Sequence, residues 1–127
     1  MAGPFVLSEK RALPRRELLF YLKVTDQDRK KEIGRMIDIH SKGLLVMSNN
    51  PLEVGKEFFL LIDTPKSLKA RSITGIEIMA KCVWSKRSLT PPYMESGLMI
   101  VDKSPKAEEA INLLISLFAM PDASLRA

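Results

Sequence analysis

The sequence predicts a mainly β fold, a small six-stranded antiparallel barrel with one C-terminal helix, and three observations carry that prediction. Apolar residues recur at period two in several short runs, the pattern of strands with one buried face. Turn-forming clusters (Asp26 to Lys31, Ser41 to Gly43, Ser48 to Pro51, Thr90 to Pro92) separate these runs at short intervals. Only the segment from Ser104 onward changes to helical spacing. Short strands closely spaced and followed by one amphipathic helix fit a barrel whose helix closes an opening or packs on its side.

The first strand is expected over Glu17 to Thr25, where Leu18, Phe20, Leu22 and Val24 alternate. The polar run Asp26 to Lys31 leads by a hairpin into a second strand, with Ile33, Ile37 and Ile39 on one parity and Gly34, Met36 and Asp38 on the other. Ser41, Lys42 and Gly43 form a tight reversal, for which Gly supplies a backbone conformation costly to other residues. The Leu44 to Met47 strand follows, and after the Ser48 to Pro51 turn the run Phe58 to Ile62 is ended by Asp63 and Pro65. Residues 64 to 72 read as a basic loop, with Lys66, Lys69 and Arg71 solvated.

From Ile73 to Trp84 one parity holds Ile76, Ile78, Ala80, Cys82 and Trp84, so Cys82 and Trp84 are assigned to the core. Leu98, Ile100 and Asp102 alternate in a last strand. Ser104 caps a helix with Pro105 at its first position, and Ala107, Ile111, Leu114, Ile115 and Phe118 form the face that meets the barrel, up to Pro121. The chain divides into a flexible basic arm (1–16), a barrel with helix (17–120) and a tail (121–127).

Composition narrows the function. A chain of 127 residues, 46% hydrophobic and 28% charged, suits one core. Its formal charge of +5 favours anionic partners, leaving nucleotide, nucleic acid and acidic protein open. Aromatics make up only 6% and several fall on core faces, leaving few stacking platforms for a nucleic-acid binder. One cysteine suits a reducing compartment, the cytoplasm, and one histidine, His40, leaves no His pair for a metal and a single imidazole base for any hydrolase. No secretory signal and no membrane span are expected, and an enzyme is the least favoured class.

The residues suited to binding are Arg11, Arg15 and Arg16 in the arm, and the turn from Asp38 to Gly43. Arginines make charge-assisted, often bidentate contacts to phosphate and stack on flat bases. By charge alone they equally read as a solvated basic tail, and Asp38 equally reads as fixing its own turn. At these two motifs the chain resembles the PilZ domain family, which carries Arg, three residues, Arg before the first strand and Asp or Asn, x, Ser, x, x, Gly after the second. Arg11 to Arg15 fits the first element, and Asp38 to Gly43 fits the second except that His40 stands in the Ser position. The resemblance spans roughly residues 10 to 120 and implies a six-stranded barrel that binds cyclic di-GMP through Arg11, Arg15, Arg16, Asp38, His40 and Gly43. It implies no cofactor and no metal, a downstream protein partner of unspecified identity, and a monomer or homodimer. It also admits an adaptor that has lost nucleotide binding and acts through protein contacts.

Overall fold

The computed structural model describes residues 21–89 and 91–119. Six strands close into a barrel: β1 (Leu22–Asp26), β2 (Lys31–His40), β3 (Gly43–Ser48), β4 (Glu57–Ile62), β5 (Ile76–Arg87) and β6 (Met94–Lys103). Their order around the barrel is β1, β2, β3, β6, β5, β4, with every pairing antiparallel. Closure leaves no strand edge unpaired, which suits so small a sheet. The first strand starts at Leu22; its expected residues 17–20, like the whole arm 1–16 and the tail 121–127, lie outside the described residues.

The interior is aliphatic. Val24, Met36, Val46, Leu60, Ile62, Ile78 and Ala80 are essentially inaccessible, each contributed by the inward parity of its strand. The 64–72 segment is more than the solvated loop expected from its charges: it contains a short helix, α1 (Lys66–Lys69), that buries Leu68 completely among these residues. Lys69 Nζ donates to Asp63 Oδ1 at 2.8 Å and to the Thr64 carbonyl, fastening α1 to the end of β4. At the opposite rim Asp26, 3% exposed, shapes the β1–β2 turn by accepting from the backbone N–H groups of Asp28 (3.0 Å) and Arg29 (3.3 Å).

Helix α2 (Pro105–Leu114) begins as expected, with Ser104 Oγ accepting from the Ala107 N–H at 3.0 Å and Pro105 in the first turn. Ala107, Ala110, Ile111 and Leu114 face the barrel, and the helix rests on β5, β6 and β2. A wider π-helical turn, Ile115–Ala119, continues it. Since α2 leaves the end of β6, it covers the rim where β2 ends and β3 begins. Among the described residues, no helix lies over the opposite rim, which holds the β1–β2 turn and the β3–β4 loop.

The strand pairings shift register at four places, with Ile33 and Ile37 the extra residues in β2, Val83 in β5 and Val101 in β6, and two of these shifts alter the alternation read from the sequence around the site. In β2, Met36 pairs with Val46 and Asp38 with Leu45, so Ile37 is an extra residue. Met36 therefore points inward while Ile37 turns outward, which corrects the parity expected for Ile33, Ile37 and Ile39. Ile37 packs outside the barrel with Met47 and Tyr93, and Tyr21 and Leu45 lie against them. In β5, Cys82 pairs with Leu98 and Trp84 with Gly97, making Val83 the extra residue. Cys82 stays in the core as expected, but Trp84 is turned out and is 39% exposed, which corrects its assignment to the core.

Candidate nucleotide-binding groove

The end of β2 presents Asp38 and His40 on the same outer side, because strand alternation resumes after the Ile37 bulge and sends Ile39 inward. Asp38 Oδ1 accepts from the Ile39 N–H at 2.9 Å. His40 Nδ1 accepts from the Lys42 N–H at 3.3 Å across the reversal. With Nδ1 an acceptor, the neutral imidazole carries its proton on Nε2 and offers one N–H donor. A serine hydroxyl at that position would likewise offer a donor, from a shorter side chain.

Gly43 opens β3 opposite His40. Its φ is outside the left-handed region, so the reversal does not depend on glycine for its torsion angles, contrary to the expectation from sequence. Glycine is required for proximity instead: a Cβ there would lie 2.6 Å from the Leu98 carbonyl oxygen and 3.5 Å from His40 Nε2. Gly97 on the neighbouring strand has a parallel reason. Any Cβ at that position would land on the indole of Trp84. The exposed tryptophan thus lies flat on a floor that only glycine leaves free, and Lys86 Nζ stands 5.2 Å from its ring centroid.

These features meet in one place. A shallow groove of about 410 Å³ is lined by Asp38, His40, Lys42, Gly43, Leu45, Val83, Trp84, Gly97 and Met99, where β2, β3, β6 and β5 lie side by side. It brings together the three predicted residues of the second motif. Arg11, Arg15 and Arg16 fall outside the described residues. Reading the sequence missed Trp84, Lys86 and Gly97, because the bulge that turns the ring outward and the pairing of Trp84 with Gly97 leave no mark on the local sequence. A larger groove, about 540 Å³, sits at the rim opposite α2, between the β1–β2 turn and the β3–β4 loop. Its charges are mixed, with Glu32 held by Arg35 at 2.7 Å and Asp26 committed to its turn. Its lining includes no residue of the second motif.

Among the described residues there is no group of three His, Cys, Asp or Glu able to hold a metal, and no helix long and apolar enough to cross a membrane. Cys82 is enclosed, and burial pushes its thiol pKa up, with the Trp84 backbone opposing that shift.

A closed six-stranded barrel with a capping helix and an outer groove built from a D-x-x-x-x-G turn defines a receptor or adaptor class of domain. The PilZ domain family model matches residues 9–117, and the chain belongs to that family. No curated protein is significantly similar in sequence. Among solved structures, the inhibitor of motility MotI/DgrA of Bacillus subtilis superposes with a TM-score of 0.61 at 16% identity, over 81% of this chain and 47% of the other. This chain thus spans about half of that protein. The PilZ domain of YcgR from Escherichia coli, solved with c-di-GMP, superposes with a TM-score of 0.57 at 11% identity, over 84% of this chain and 86% of the other. At such identities the likeness is one of fold.

Proposed function

We propose that this protein is a cytoplasmic cyclic di-GMP receptor that signals to a protein partner. The observation that carries this reading is the convergence of Asp38, His40 and Gly43 with an exposed tryptophan on one groove of a PilZ barrel. Asp38 accepts from the N–H edge of a guanine, His40 donates through Nε2, and the bare backbone at Gly43 lets a base approach the sheet. Trp84 supplies a π-face for stacking. Arg11, Arg15 and Arg16, brought in from the N-terminal arm, neutralise the two phosphates. Closure of the arm over the ligand changes the surface offered to the partner. The YcgR domain solved with c-di-GMP supports the choice of ligand.

Trp84 is the sole tryptophan, so its emission is a direct reporter. Titration with cyclic di-GMP, with GMP as control, is expected to shift that emission saturably, and calorimetry to give the same affinity. In Arg11→Ala plus Arg15→Ala the affinity falls at least a hundredfold, since two charge-assisted contacts at roughly 1.5 to 3 kcal/mol each are lost. Unchanged affinity in that variant removes the arginines from the site.

A second reading is supported by His40 itself. An imidazole where the family pattern has Ser is bulkier and fills part of the groove, which suits an adaptor that has given up nucleotide for protein contacts. The likeness to an inhibitor of motility is compatible with it. His40→Ser separates the two: if His40 is a ligand, affinity stays similar or weakens, and if it obstructs, binding appears or tightens.

A further inference from the structure

The larger groove, at the rim opposite α2, has both of its walls fixed by bonds inside the fold. On one wall Asp26 accepts from the N–H groups of Asp28 and Arg29 and so shapes the β1–β2 turn. On the other, Ser48 Oγ donates to the Asn50 carbonyl at 2.6 Å, the Leu52 N–H donates to Ser85 Oγ at 3.3 Å, and the Gly55 N–H donates to the Cys82 carbonyl at 2.7 Å. Asp26 and Ser48 are 3% and 4% exposed, so these anchors belong to the interior. The groove is therefore preformed, which lowers the cost of ordering a site on binding. Its volume of about 540 Å³ lies within the ~300 to 1,000 Å³ of sites that hold ligands.

The chemistry of the groove is amphipathic. Its floor is Ile33, Leu52 and Phe58: Ile33 and Leu52 are half-buried against the core, and Phe58 is part of it. Ile33 is available there because it is the extra residue in β2, between Glu32 opposite Thr25 and Gly34 opposite Val24. The charges around this floor are unequal once their partners are subtracted. Glu32 is held by Arg35, and Asp26 serves its turn with Arg29 Nε 3.9 Å away. Lys31 on one wall and Lys56 on the other are paired with no carboxylate among the described residues, and Glu53 is the one remaining acid of the lining. Lys56 Nζ stands 5.1 Å from the Phe58 ring centroid, which sets a cation at the edge of the floor. We propose that this groove is the docking site of the protein partner and takes an acidic segment of it, with an apolar side chain on the floor and a carboxylate toward each lysine. A small anion would use the lysines and leave the floor unfilled, and a wholly apolar segment would make no use of the lysines. The two grooves share no lining residue, so a partner seated here leaves the nucleotide groove open.

The docking site rests on the receptor reading only for the existence of a protein partner. It is tested on the full chain without nucleotide, by amide chemical shifts, with an acetylated and amidated peptide of alternating Glu and Leu as the probe. Saturable shifts are expected at Lys31 to Arg35 and Leu52 to Lys56, with the Trp84 indole N–H unmoved. Lys31→Gln plus Lys56→Gln should weaken binding about tenfold or more, the scale of one charge-assisted contact, and neither lysine is buried, so the fold is kept. Replacing Glu by Gln or Leu by Ser in the peptide should weaken it as well. Arg11→Ala plus Arg15→Ala, expected to cut nucleotide affinity, should leave peptide binding unchanged, so the two readings fail separately. No saturable shift up to about 1 mM, a bound of roughly 4 kcal/mol, overturns the proposal. So do equal binding of the Gln peptide, equal shifts from inorganic phosphate alone, which would make the groove a small-anion site, and shifts centred on Trp84, which would put acidic segments in the nucleotide groove.

Discussion

The interior of the barrel and its outer groove obey different rules. Inside, Val24, Val46, Leu60, Ile62 and Ile78 are aliphatic side chains of similar size filling a closed space, and their identity matters mainly through volume. In the groove each residue has a separate reason: Gly43 for the Leu98 carbonyl, Gly97 for the indole, His40 for a donor held by the Lys42 N–H. Trp84 is large and apolar yet remains well exposed. Cores are general in this sense and binding surfaces particular. The difference teaches that stability and recognition are drawn from different residues of the same strands, often adjacent in sequence, as Ile39 is to His40.

The largest expected effect tests the interior half of that comparison. Leu60→Ala removes a fully buried side chain from the middle of β4 and should cost about 2 to 5 kcal/mol, read as a lower midpoint in urea. The folded fraction should bind cyclic di-GMP as the parent does. A change in its affinity would mean that the interior also sets the groove.

Gly97→Ala comes next and should cross the boundary between the two regions. The added methyl must displace the indole or push β6 from β5, at about 1 to 3 kcal/mol for overpacking. Trp84 emission should shift and nucleotide affinity fall together. Loss of stability with an unmoved emission spectrum would show that the backbone yields rather than the ring. Trp84→Ala, in contrast, should leave the urea midpoint nearly unchanged while weakening nucleotide binding by about ten- to a hundredfold, the range for a base-stacking contact.

The barrel was legible in the sequence because alternation over Ile76 to Cys82 and the helical spacing after Ser104 are local signals. The Asp38 to Gly43 turn was legible as a motif. What escaped depends on pairing between strands. A bulge moves one residue out of register, and nothing in the sequence Cys82, Val83, Trp84 marks where it falls, so strict alternation put the tryptophan inside. The need for Gly43 was visible, but its cause lies in Leu98, more than fifty residues away. Leu68 was hidden for a different reason: a single apolar residue among Lys66, Lys69 and Arg71 produces no period, and only the α1 turn shows that it plugs the core.

The smallest expected effect concerns the fastening of that plug. Burial alone would raise the Asp63 carboxyl, but the hydrogen bond from Lys69 and that from the Thr64 N–H, with the charges of Lys69 and Lys23, outweigh it and hold the group below its ordinary value of 3.8. Between the lowered folded value and the ordinary unfolded one, the unfolded chain binds more protons, so stability rises with pH there. The contribution is therefore complete above the unfolded value and disappears as pH falls through the folded one. Both side chains remain more than 40% exposed, and solvent screening keeps the pair at no more than about 1 kcal/mol. Asp63→Asn should lower the urea midpoint slightly at pH 7, and the difference from the parent should close as the pH is taken well below 3.8. A loss at pH 7 as large as that of Leu60→Ala would mean that seating Leu68 depends on this surface pair, and the interior would then owe part of its integrity to the charges outside it.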